Sequence, residues 1–199
     1  MGDPKKQQKK YQKPAHPWQK ARIDEEKIIM RSYGLATKKE LWKVDALLRT
    51  FKNQAKKLTV GNSLQIEKEK KDMFARLASY GLLKGTATLD DILSLTLNDL
   101  LERRMQTIVF RKGFERTMDQ ARQFIIHKHI LINNKKISAP TYMVKVIEEG
   151  SIVFCPTSTL SKDDHPERII IKRAVKEVKP DDKKGYHDRP KRRPVRLKK

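Results

Sequence analysis

The chain has 199 residues, enough for one or two domains, and its 46 Lys and Arg against 24 Asp and Glu leave a formal net charge of +22. A surplus of that size points to nucleic acid or an anionic membrane as partner. No apolar run is long enough to span a bilayer, no apolar secretory signal is read at the N-terminus, and the single cysteine, Cys155, leaves no intrachain disulfide; a cytosolic protein is the expectation.

The charge is uneven. Residues 1–22 hold seven Lys or Arg against one acid and residues 179–199 hold ten against three, so the ends supply +6 and +7 and the body +9. Neither end carries the one-sided large apolar residues of an interfacial helix, which favours nucleic acid over a membrane. Pro4, Pro14 and Pro17 among lysines and glutamines predict an extended arm over 1–22. For Tyr11 and Trp18 within it, packing onto the body and stacking on a base both stay open.

A helical region follows. Asp24, Glu25 and Glu26 suit the first turn of a helix, and Gly34 closes it. Thr37 and Glu40 have capping-box spacing. Leu41, Val44, Leu48, Phe51, Ala55 and Leu58 then recur as one face of a long helix, which Gly61 breaks. Another helix is predicted over about 66–80, stopped by Gly81, and a short one from Thr88 and Asp91. Asp90 and Asp91 are explained as first-turn charge.

Residues 97–137 carry the densest signal. Thr96 and Asp99 start a helix whose stripe Leu97, Leu101, Met105 and Ile108 runs on to Lys112 and Gly113. Arg103, Thr107 and Arg111 form a second stripe beside it. Arg104 borders both, and Phe110 flanks the basic one. A second helix opens with Thr117 and Gln120, buries Met118, Ala121 and Ile125, and sets Arg122 at its edge. Ile130 and Ile132 alternate as in a strand, Asn133-Asn134 tolerates the positive φ of a tight turn, and Lys135, Lys136 and Ile137 begin the return. Tyr142, Val144 and Val146, and then Ile152 and Phe154, predict further strands.

With these residues placed, LERRMQT and the downstream ARQFIIHKHILIN resemble the S-four RNA-binding module, with Asn-Asn where that module usually has Asn-Gly. The module also occurs in pseudouridine synthases and tyrosyl-tRNA synthetases. The flanks, Tyr33-Gly34-Leu35, Glu40-Leu41-Trp42 and the helical run into LERRMQT, are similar to the S-four family of small-subunit ribosomal proteins, of the archaeal and eukaryotic type. The resemblance covers residues 2–178.

It implies an α+β fold: an N-terminal helical domain plus a module of two helices packed on a small, mostly antiparallel sheet, with extended basic tails. The expected division is an arm at 1–22, a helical domain at 23–100, the module at 101–165, a segment at 166–178 returning to the body through Ile169, Ile170 and Val175, and a basic tail at 179–199.

Catalytic chemistry finds no constellation. Cys155, before Pro156, reads as a buried or half-buried structural residue. His127 and His129 have no third ligand at zinc spacing, and no Gly-rich phosphate loop occurs. No cofactor is expected, nor a structural zinc, since the chain has no cysteine cluster to hold one, and no enzymatic activity is expected, because the chain left beside the module is too short and too helical for a catalytic domain.

The expected function is structural RNA binding. Arg103, Arg104, Arg111, Lys112, Arg116, Arg122, Lys128, Lys135 and Lys136 are the candidate phosphate contacts. Thr117 and Gln120 are candidates at a helix N-terminus, where capping is their default role. The resemblance further implies small-subunit rRNA as ligand, an early role in assembly of the subunit body, and ribosomal protein S-five among neighbouring small-subunit proteins, a contact that influences decoding accuracy. The expected location is the cytoplasmic ribosome, with neither a membrane nor a second copy of the chain as partner. An RNA chaperone or mRNA regulator, or an RNA-modifying enzyme, are the competing classes.

Overall fold

The computed structural model describes residues 9–61, 63–84, 87–162 and 165–167. Its first half is helical: α1 (Lys20–Ser32), α2 (Lys38–Val60), α3 (Leu64–Ser79) and α4 (Leu89–Ser94). α1 begins at Lys20, so the end of the expected arm is helical and the acids Asp24–Glu26 fall past the first turn. Glu26 is buried instead, because it pairs with Arg22 and Lys38 and accepts from Trp42 Nε1. Gly34, at φ +57°, lets the chain turn between α1 and α2, and Gly81, at φ +69°, follows α3.

The apolar face of α2 is the one its periodicity predicts. Leu48, Phe51, Ala55 and Leu58 pack with Met73 and Leu77 of α3, Ile92 of α4, and Leu95 and Leu100 beyond it. Burial of such a face, rather than helix propensity, holds a short bundle of this kind together. Thr88 and Thr96 each donate a backbone N–H to the acid three residues on, Asp91 at 2.7 Å and Asp99 at 2.8 Å.

Over 97–112 a single helix is predicted, and the structure has two: α5 (Leu97–Glu102) and α6 (Met105–Arg111). The break falls at Arg103-Arg104. Arg104 is extended, at φ −70° and ψ 143°, and forms an isolated antiparallel bridge with Met143. The backbone groups there bond the returning chain: Met105 N–H to the Tyr142 carbonyl at 2.8 Å, and Val144 N–H to the Arg103 carbonyl at 3.0 Å. Tertiary hydrogen bonds thus replace the helical ladder. Thr107, expected on the basic stripe, is buried and its hydroxyl donates to the Leu101 carbonyl at 2.9 Å.

α7 (Met118–Ile126) leads into β1 (Ile130–Ile132), and β2 (Lys135–Lys136) and β3 (Ile152–Phe154) flank β1 antiparallel in the order β2-β1-β3. Asn133 and Asn134 take φ +48° and +61°, as the tight turn requires. The strand expected over Tyr142–Val146 shrinks to the Met143 bridge, and Val146–Glu149 is a short helix, α8. Glu148 causes this: it accepts from the Lys145 N–H at 3.1 Å and from the Tyr142 hydroxyl, curling the chain at that point.

Met105, Ile108, Val109, Phe124, Ile125, Ile130, Ile132, Val144, Ile152 and Leu160 form the core between α6, α7 and the sheet. The result is an α+β fold, a helical part joined to two helices on a three-stranded antiparallel sheet. Leu35, Leu41 and Leu101 join the two parts. The return of Ile169, Ile170 and Val175 lies outside the described residues, as do the tail at 179–199 and the first eight residues of the arm. No described helix is long and apolar enough to cross a membrane.

Candidate nucleic-acid interface

The eleven residues singled out by sequence fall into a buried class, a half-buried class of Arg103, Gln120 and Arg122, and an exposed class of the other seven. Arg104 belongs to the first. It is 2% exposed, and its Nη2 donates to Glu40 Oε2 at 2.9 Å. Arg122, half-buried on α7, donates to both oxygens of the same carboxylate, at 2.7 and 3.2 Å. Thr37 makes no side-chain cap, so Glu40 serves this cluster rather than the predicted capping box. Burial pushes the Glu40 carboxyl up, but hydrogen bonds from Arg122 and Arg104 and their charges outweigh it and hold it below the ordinary carboxylate range. Burial lowers the Arg104 pKa, against the pull of Glu40.

Gln106 makes a second join. Its Nε2 donates to the Gly34 carbonyl at 3.0 Å and to the Met118 carbonyl at 2.9 Å. These contacts tie α2 and the turn before it to the start of α6 and to α7, so the module's helices are oriented by the helical part.

Arg103, Arg111 and Lys112 line a cleft of about 220 Å³ with Glu102, Ile108 and Glu149. Arg103 donates to Glu149 Oε2 at 3.1 Å and to the Val144 carbonyl at 3.2 Å. Arg111 meets both Glu102 oxygens, at 2.7 and 3.3 Å, and Lys112 Nζ donates to the Glu149 carbonyl. The Arg111–Glu102 pair has 55% and 42% of its side chains exposed. Exposed pairs of that kind contribute only about 0–1 kcal/mol, so a phosphate can exchange with the carboxylate at little cost.

Arg116 is exposed, and its guanidinium reaches the Pro166 carbonyl. Lys128 is exposed at φ +61° just after α7, and Lys135 and Lys136 are both exposed on β2. Thr117 and Gln120 are occupied by capping: the Thr117 hydroxyl accepts from the Gln120 N–H at 3.2 Å, and Gln120 Oε1 accepts from the Arg116 N–H at 3.1 Å.

Other groups with chemical potential have structural work. Cys155 is buried, with its N–H on the His129 carbonyl at 2.7 Å. His129 Nδ1 lies 2.8 Å from Ser158 Oγ; burial and the His127 charge hold its pKa below the usual histidine value. Among the described residues no group of three or more His, Cys, Asp or Glu is arranged to hold a metal. Sequence reasoning missed Glu40, Gln106 and Glu149. The Thr37–Glu40 spacing fitted a cap equally well, and Glu149 reaches Arg103 from 46 residues away.

A small helix-and-sheet unit with an exposed basic surface defines a protein built around an S4 domain, and the family model of that domain matches residues 103–149. Over 169 residues the chain is 52% identical to the small ribosomal subunit protein uS4 of Methanococcus aeolicus, covering 84% of this chain and 96% of that one. It is 47% identical to the protein of the same name from Methanococcus maripaludis, covering 84% and 95%. The chain belongs to the uS4 family, which is structural and not enzymatic.

Proposed function

We propose that this protein is a structural constituent of the small ribosomal subunit in the cytoplasm, and that it binds the subunit's rRNA directly. The family membership carries the ribosomal part of this reading, and the match of residues 103–149 to the S4 domain and the surplus of positive charge support direct RNA binding. Arg111, Lys112, Arg116, Lys128, Lys135 and Lys136 neutralise phosphates, each contact releasing counterions. Arg103 contributes from the rim of the cleft. Arg104 and Arg122 act from behind the surface, with Glu40, by fixing the module on the helical part. Thr117 and Gln120 present the N-terminus of α7.

Specificity comes mostly from RNA shape, because the deep groove of an A-form helix hides its base edges from side chains. Charges on short, packed elements meet phosphates at fixed spacing. Early binding then nucleates assembly of the subunit body, and contact with ribosomal protein S-five couples the site to decoding accuracy.

Sedimentation of ribosomal subunits through a high-salt wash tests the reading. The protein remains with the small subunit alongside the other core proteins. Complete release while those proteins stay bound would leave a free-standing RNA chaperone as the better description.

A further inference from the structure

Trp18 is the most exposed of the large apolar side chains described, with 91% of its surface free. A lone exposed apolar residue is ordinary. This one stands on a fixed turn. Arg22 donates from Nη2 to the carbonyls of His16 at 3.2 Å and Pro17 at 3.0 Å, and its Nη1 is tied to Glu26. Glu26 is 7% exposed and is itself held by Trp42 and Lys38. Pro17 fixes its own φ beside the indole. The turn is therefore anchored through Arg22 to the interior of the helical part, while the indole it carries touches little.

The other aromatic of the arm behaves differently. Tyr11 lies 6.1 Å from Trp42, centroid to centroid, and is committed to the body. The surroundings of Trp18 favour a polyanion. Residues 9–23 contain four lysines and Arg22 and no acid, and Lys13 and Lys20, before and after Trp18 in the chain, are both exposed. The first turn of α1 likewise has no acidic residue.

We propose that Trp18 is a stacking site for an unpaired nucleobase of the bound RNA, with Lys13 and Lys20 on the adjoining phosphates. The proposal rests on the rRNA-binding reading and extends it to a base contact outside the S4 domain. An aromatic face accepts any base, so the site selects an unstacked nucleotide rather than a sequence. A hydrophobic pocket on a neighbouring protein would also cover an indole, but the lysines and the lack of acids over residues 9–23 match RNA.

The test uses the full chain and a transcript of small-subunit rRNA. Because Trp18 is almost wholly exposed, its substitution leaves folding intact. Trp18→Ala weakens binding by roughly tenfold, within the range for loss of one base–aromatic stack, while Trp18→Phe retains most of the affinity. The slope of log affinity against log salt stays the same in both, since no ionic contact is lost, whereas Lys20→Ala lowers it. RNA quenches the wild-type tryptophan fluorescence, and most of that quenching disappears in Trp18→Phe. Unchanged affinity of Trp18→Ala, or equal quenching in wild type and Trp18→Phe, overturns the proposal and leaves a protein pocket as the occupant. If the wild type itself does not prefer rRNA to an unrelated transcript, the rRNA-binding reading fails, and this proposal fails with it.

Discussion

Arg104 and Glu40 form an ion pair of 2.9 Å between an arginine that is 2% exposed and a carboxylate on the opposite part of the molecule. Two guanidiniums, Arg104 and Arg122, share that one carboxylate. Removing the shared member leaves a buried charge unpaired, which costs far more than the pair itself contributes.

Glu40→Ala therefore destabilises the fold by about 3–5 kcal/mol, and Arg122→Ala costs less because 23% of that side chain already meets solvent. Denaturant unfolding of the two variants checks the order. The same loss for both would mean that Arg104 finds another partner.

Acid weakens this join. The folded-state pKa of Glu40 lies below its ordinary value, so its contribution is present above about pH 4.5 and is lost as pH falls through the lowered folded pKa. Glu26 behaves the same way: burial raises its pKa, and Trp42, Lys38 and Arg22 together outweigh that. Glu40→Gln flattens the acid limb of the stability curve, measured by unfolding at successive pH values.

Glu115 has the opposite sign. It is 3% exposed, neither carboxylate oxygen has a hydrogen-bond partner among the described residues, and burial pushes its pKa up to about 8. Its folded form favours the proton, so stability is greatest below the unfolded pKa and is lost as pH rises through about 8. Glu115→Gln is more stable than the wild type at pH 7 by on the order of 3 kcal/mol, and the difference vanishes near pH 4. Paired melting curves at the two pH values measure it.

Gly34 allows close approach at the second join. A Cβ there would lie 2.7 Å from Met118 Cβ and 2.8 Å from Gln106 Nε2, on a backbone at φ +57°. Gly34→Ala costs about 1–3 kcal/mol in thermal unfolding, from the left-handed backbone and the displaced Gln106 amide.

Much of the fold was legible because the periodicities were strong. The stripe Leu41 to Leu58, the Asn133-Asn134 turn and strands at Ile130 and Ile152 follow from local pattern and side-chain chemistry. The break at Arg103-Arg104 was not, because both halves keep helical spacing and the cause is the returning chain at Tyr142 and Val144. The α8 helix was hidden for a related reason: Tyr142, Val144 and Val146 alternate like a strand, and only the position of Glu148 shows why the chain curls. Within the site, the basic residues were readable as a set. Which of them face outward was not, since helical position cannot tell an edge arginine in solvent from one on a distant Glu40. The stripe read as a contact surface therefore contains Arg111, which is exposed, and Thr107, which is buried, and Arg104 at its border is buried as well.

The exposed basic residues can be tested directly against RNA. Affinity of the full chain for small-subunit rRNA and for an unrelated transcript of equal length is followed across salt concentration, with Arg111→Ala and Lys135→Ala beside the wild type. The wild type stays bound to rRNA at physiological salt, where non-specific binding weakens to about 10⁻⁴–10⁻⁶ M, and each substitution flattens the slope by about 0.7–0.9 without lowering the melting temperature. Equal affinity for the two RNAs, or slopes unmoved by both substitutions, would contradict direct recognition of rRNA through this surface.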